Sequence, residues 1–137
     1  MALKIDHIGL SVENLDAQIN SYEQALGMNV TKEFSVEERP IRAAFLSGNG
    51  FVLELLERPG SSARPVVSSP AEAVLARGFG HVCLRVTKLD ALHRDLVRAE
   101  ASEIMAPQGA PEEHVRMSFV EGPEKNLIEL LDYESPL

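Results

Sequence analysis

Two stretches of this chain run in step. Residues 7–17 read HIGLSVENLDA and residues 81–91 read HVCLRVTKLDA, a constant offset of 74. Downstream, FVLELLE (Phe51–Glu57) is echoed by NLIELLD (residues 126–132) at nearly the same offset. A repeat of this length is too long for a solenoid unit and predicts two copies of a small α+β module. Each copy carries one histidine early in its first strand and one glutamate in the middle of its last.

Within the first copy, residues 5–12 alternate as a strand does. Ile8, Leu10 and Val12 fall on one face, and Ile5, His7 and Gly9 on the other. Asn14 caps a helix that ends at Gly27, with Leu15, Ile19, Tyr22 and Leu26 as its apolar stripe. Strands follow at about 29–35, 41–47 and Phe51–Glu57, the last two joined by a hairpin at Gly48-Asn49-Gly50. The second copy repeats the order. A strand spans 79–86, then a helix spans 89–100 with Leu89, Leu92, Leu96 and Val97 inward and His93 at the surface. Strands near 103–105, 114–120 and 126–133 complete it. A linker at 58–78, rich in Pro, Ser and Arg, holds a short helix near 71–77. The expectation is one α+β domain over residues 1–137, built from two tandem βαβββ modules at about 4–57 and 79–133.

A four-stranded sheet with one helix leaves one face uncovered. His7 and His81 lie on that face, opposite the apolar face that meets the helix. Glu54 sits between Val52 and Leu56, and Glu129 between Leu127 and Leu131. A carboxylate so placed is costly unless paired or metal-bound. Two such sheets curving around a shared interior would bring His7, Glu54, His81 and Glu129 together as ligands. Imidazole nitrogen and carboxylate oxygen suit a divalent Zn, Ni, Co, Mn or Fe ion. A carboxylate released from the ion becomes a base, so Glu129 and Glu54 are the candidate catalytic groups. Arg85 shares a strand face with His81 and Cys83 and is the candidate substrate-binding residue. Cys83 itself is read as a small buried hydrophobe.

Composition narrows the class. A net charge of −8 argues against nucleic acid, which wants a basic face. No apolar run approaches the roughly 18 residues that cross a bilayer, and the N-terminus lacks a signal pattern. The single cysteine excludes an internal disulfide. Together these predict a cytoplasmic protein with a small-molecule substrate and no membrane partner. Exposed sheet edges predict a homodimer.

The motifs DHIGLSVENL, FVLELLE, GFGHVCLRV and SFVEGPEKNLIELLD resemble the vicinal oxygen chelate superfamily, the glyoxalase, bleomycin-resistance and dioxygenase group. The resemblance covers essentially the whole chain. It implies paired βαβββ modules forming a curved mixed sheet around a metal, with ligands at His7, Glu54, His81 and Glu129. One departure is the late turn, Glu121-Gly-Pro-Glu-Lys-Asn126, where the group has Asp-Pro-x-Gly. IRAAFLSGNGFVLELLERPG and the long linker are most similar to the methylmalonyl-CoA epimerases, implying proton transfer next to a carbonyl or thioester. The epimerases' extra acid/base glutamate has no counterpart in the strand at Ile41, and Glu37 and Glu38 are read as solvated loop. Arg58 and Arg64, or Arg39 and Arg42, are candidates for a substrate's phosphates. A lactoylglutathione lyase, a ring-cleaving dioxygenase and a non-catalytic binding or resistance protein are the alternatives on this fold.

Overall fold

The computed structural model describes residues 3–135. The chain divides into two compact units, Met1–Ser62 and Ala63–Leu137, so the boundary falls inside the expected linker. The first unit runs β1 (Ile8–Val12), α1 (Leu15–Leu26), β2 (Asn29–Val36), β3 (Ile41–Gly48) and β4 (Phe51–Glu57). Its strands form one mixed sheet in the order β1-β4-β3-β2, with β1 parallel to β4 and the other pairs antiparallel. The second unit runs α2 (Pro70–Ala73), β5 (Val82–Arg85), α3 (Leu89–Arg98), β6 (Ser102–Gly109), β7 (Arg116–Glu121) and β8 (Leu127–Asp132). Its sheet has the matching order β5-β8-β7-β6. The architecture is α+β, two βαβββ modules, as the repeat predicts. Among the described residues no helix is long and apolar enough to cross a membrane.

Local chemistry explains the elements. Asn14 caps α1 by accepting from the Ala17 N–H at 3.0 Å, and Gly27 ends it in the left-handed region at φ 63°. Asn49 and Gly50 both take positive φ, which gives the tight turn that closes β3 onto β4 in register. The Asn49 amide also donates to the Leu26 carbonyl at 2.8 Å, tying that turn to the end of α1. One face of the first sheet packs on α1 through Val12, Leu15, Tyr22, Ala44, Leu46, Leu53 and Leu55. Period-two alternation then leaves His7, Gly9, Val52, Glu54 and Leu56 on the opposite, open face.

A second set of polar residues repeats as well. The Leu15 N–H donates to the Glu57 carboxylate at 2.7 Å, and the Leu89 N–H donates to Asp132 at 3.2 Å. Arg42 pairs with Asp16, and Arg116 pairs with Asp90. In both modules a carboxylate at the end of the last strand thus caps the first turn of the helix, where unpaired N–H groups need an acceptor.

The structure differs from expectation at several places. Both first strands begin later than expected, so His7 and His81 stand one residue before β1 and β5. The linker helix is only Pro70–Ala73. Strand β6 is eight residues long although Pro107 lies within it. It is the edge of its sheet, so a missing N–H disturbs no second ladder, and the pairing slips between Met105 and Gln108. Strand β7 starts at Arg116 because His114 takes φ 59°.

His93 is a plain correction. It is buried at 4% exposure, whereas Val97 is exposed, so α3 packs through Leu89, His93 and Leu96. The ring is accommodated because both nitrogens have partners: Nδ1 lies 2.9 Å from Ser118 Oγ and Nε2 lies 2.8 Å from Glu103. His93→Leu is expected to destabilise the protein by about 1–3 kcal/mol in urea titration, because it strands the buried Ser118 hydroxyl. Adding Ser118→Ala should restore much of that loss, and a purely additive double mutant would refute the coupling.

Candidate metal centre

Each open face holds one histidine against one glutamate. In the first unit His7 Nε2 lies 2.8 Å from Glu54 Oε2. In the second, His81 Nε2 lies 2.9 Å from Glu129 Oε2. The parallel pairing of first and last strand creates both contacts: Gly9 stands beside Glu54 and Cys83 beside Glu129, and each histidine is two residues before that partner. An aromatic ring closes each pair from the next strand. Phe45 lies opposite Glu54 with its ring edge-on to His7 at 5.1 Å, and Phe119 lies opposite Glu129 with its ring 5.6 Å from His81. The two phenylalanines repeat at the offset of 74, a signal the chain carries beside its repeated histidines.

The pairs are alike but not equivalent. His7 Nδ1 lies 2.8 Å from the Asp6 carboxylate. That hydrogen bond, with the charge of Glu54, holds the imidazole above its ordinary 6.5 despite some desolvation. A carboxylate on the far nitrogen is the arrangement that fixes the tautomer of a metal-ligating histidine. In the second module Cys83 lies on the exposed open face, not in the core as expected. The alternation that half-buries Val82 and Leu84 on the other face requires it. Desolvation, the charge of Glu129 and a hydrogen bond to that carboxylate push the thiol up to about 12. Gly9 fills the equivalent place in the first module and offers no donor.

The thiol makes a chemical forecast. In metal-free protein at pH 8, iodoacetamide should modify Cys83 roughly 1,000-fold more slowly than a free thiol, since the thiolate is the reactive species. Glu129→Gln should speed that reaction by at least about tenfold, because it removes the negative charge beside the sulfur. Mass spectrometry of timed samples reads both, and rapid labelling of the unaltered protein would contradict the geometry.

Arg85 is exposed and alternates with Leu84 along β5, as Cys83 does. Its guanidinium stacks over the Tyr133 ring at 4.7 Å and donates to Ser135 Oγ at 3.0 Å. Arg42 is engaged with Asp16 and Glu57, which removes it from the candidates for a substrate's phosphates. Arg64 donates to the Phe79 carbonyl at 3.4 Å. Glu37 and Glu38 lie in the exposed turn after β2, as expected.

The donor set suits a divalent ion. In each pair an imidazole nitrogen and a carboxylate oxygen, both lone-pair donors, face one another at a distance that requires a proton or a cation between them. Among the described residues no group of three or more His, Cys, Asp or Glu side chains is gathered around one point. Each unit by itself holds one pair of the expected ligands, His7 with Glu54 and His81 with Glu129.

The family model described as the Glyoxalase/Bleomycin resistance protein/Dioxygenase superfamily matches residues 4–130. The chain belongs to that superfamily. A glyoxalase family protein of Enterococcus faecalis has a similar structure, with TM-score 0.78 at 23% identity over 93% of this chain and 96% of that one. The trypanothione-dependent glyoxalase I of Leishmania major is similar at TM-score 0.72 and 25% identity, covering 97% of this chain and 88% of that one. Glyoxalase I of Zea mays gives TM-score 0.76 at 20% identity, and the superfamily domain here spans 44% of that longer chain. Among curated proteins, the uncharacterised YwbC of Bacillus subtilis is 27% identical over 135 residues, 94% of this chain and 97% of its own.

Proposed function

We propose that this superfamily member is a divalent-metal-dependent isomerase or lyase that moves a proton next to a carbonyl or thioester. The observation that carries the reading is the matched pair of His–Glu contacts on the open faces, at 2.8 and 2.9 Å. His7, Glu54, His81 and Glu129 would hold one ion together, with the two modules paired in one chain or across a homodimer. A bound ion would supply the Lewis acidity that makes a C–H beside a carbonyl acidic.

The protein's own groups do the rest. One glutamate, Glu54 or Glu129, takes the proton as the C–H bond breaks and its electron pair moves toward the carbonyl. The same or the opposing carboxylate returns the proton to carbon. Asp6 keeps the His7 ring oriented. Phe45 and Phe119 line the two pairs with apolar surface, which limits water and strengthens electrostatic contacts. Arg85, oriented by Tyr133 and Ser135, would meet an anionic group of the substrate.

Epimerisation of an acyl thioester, as in the methylmalonyl-CoA epimerases, and isomerisation of a hemithioacetal, as in lactoylglutathione lyases, share this proton transfer. The long linker and the hairpin sequence favour the first; likeness to the glyoxalase I of Leishmania major favours the second. The test begins with metal content of protein purified without added metal or chelator. Less than about a tenth of an equivalent, with none gained on titration with Ni(II), Co(II) or Zn(II), would end the metalloenzyme reading. With metal present, deuterium uptake from solvent at the α-carbon of methylmalonyl-CoA supports epimerisation. Turnover of the glutathione–methylglyoxal adduct supports the lyase. Oxygen uptake on a catechol would instead favour a dioxygenase.

A further inference from the structure

One carboxylate breaks the symmetry of the repeat. Strands β3 and β7 correspond: Phe45 lies opposite Glu54 as Phe119 lies opposite Glu129. Two residues further along, the first module has Ser47 and the second has Glu121. Ser118 points to His93 on α3 while Phe119 points to His81, so alternation puts Glu121 on the open face. There it stands between Leu127 on β8 and Ser102 on β6, diagonal to Glu129. Diagonal neighbours in a sheet are about 7–8 Å apart at the backbone, a span that one small molecule can bridge.

Glu121 is only 2% exposed, and its Oε2 has no hydrogen-bond partner. A buried carboxylate oxygen without a donor carries the full desolvation penalty of that atom. It is the one buried side-chain atom left in that state among the described residues. The first module shows that the position accepts a short neutral side chain, so packing does not demand a carboxylate.

We infer that Glu121 is the acceptor for a hydrogen-bond donor on the bound small molecule, an N–H or O–H a few bonds from the chelating oxygens. It thereby selects substrates bearing that donor. The inference rests on His81 and Glu129 being metal ligands.

The test uses Ni(II)-loaded protein and two bidentate oxygen chelators, acetohydroxamate and N-methylacetohydroxamate. Only the first carries an N–H. Calorimetry is expected to show acetohydroxamate favoured by about tenfold beyond its preference for free Ni(II), the usual effect of one hydrogen bond to a charged group. Glu121→Gln, which keeps an acceptor oxygen, should retain part of that preference. Glu121→Leu should abolish it and, in metal-free protein, raise the melting temperature by a few degrees. An equal preference in the unaltered protein and Glu121→Leu would overturn the inference alone. A lowered melting temperature for Glu121→Leu would also overturn it, since the carboxylate would then have a partner within the protein. Absence of Ni(II) binding in every form would overturn the metal reading and this inference with it.

Discussion

His81→Ala is expected to lower Ni(II) or Co(II) affinity by more than about 100-fold, beyond the 10–100-fold that loss of an outer-shell partner costs. The ring is partly exposed, precedes its strand and touches only Glu129 and the edge of Phe119 among the groups described above. Its removal opens no core but leaves Glu129 without its imidazole partner, so the melting temperature should fall by no more than a few degrees. His7→Ala is expected to have the same effect if both pairs serve one ion. If each pair held its own ion, either substitution would halve the stoichiometry and leave the other site's affinity intact. Calorimetric titration separates the two outcomes, and unchanged affinity in both variants would remove these histidines from the metal site.

Leu55→Ala is expected to cost about 2–5 kcal/mol, the range for deleting a fully buried leucine side chain. Leu55 is 0% exposed in β4, a central strand, and packs among Leu15, Tyr22, Leu46 and Leu53. The loss is a large part of the 5–15 kcal/mol that holds a typical domain. Leu130→Ala, the matching change in β8, should cost a similar amount, since that side chain is also 0% exposed. Urea titration followed by circular dichroism measures both. A loss below about 1 kcal/mol would mean that the site collapses around the smaller side chain.

The strand faces were legible because alternation is local. His7 with Gly9, and Glu54 with Val52 and Leu56, can be sorted to one side without knowledge of any neighbour. The offset of 74 then predicted a second copy, and the same sorting placed His81 and Glu129. The Asn49-Gly50 turn was legible for a similar reason, since few residues tolerate positive φ at adjacent positions. The length of β6 was not legible in the same way. It runs past the expected 103–105 and through Pro107 because it lies at a sheet edge, and position within a sheet is not written locally.

Repetition in register also proved a weaker guide to chemistry than it first suggests. Asp16, Arg42 and Glu57 recur as Asp90, Arg116 and Asp132, and they hold helices to sheets. A duplicated fold copies its braces as faithfully as its binding groups. His93 has no histidine at the equivalent place, Ile19, and its burial arose from partners on β6 and β7 that its own helix does not reveal.

The chain alone determined the two-module α+β architecture, the caps of α1, and the strand faces that carry Glu54 and Glu129 and that His7 and His81 lead into. These follow from periodicity, turn chemistry and a constant offset, all of which act over a few neighbouring residues. Only the tertiary structure decided which polar groups are already engaged: Arg42 with Asp16 and Glu57, His93 with Ser118 and Glu103, Cys83 with Glu129. It alone exposed the unmatched oxygen of Glu121. Satisfaction of a buried polar atom depends on groups that are distant in sequence and about 3 Å away in space, and no local pattern carries that information.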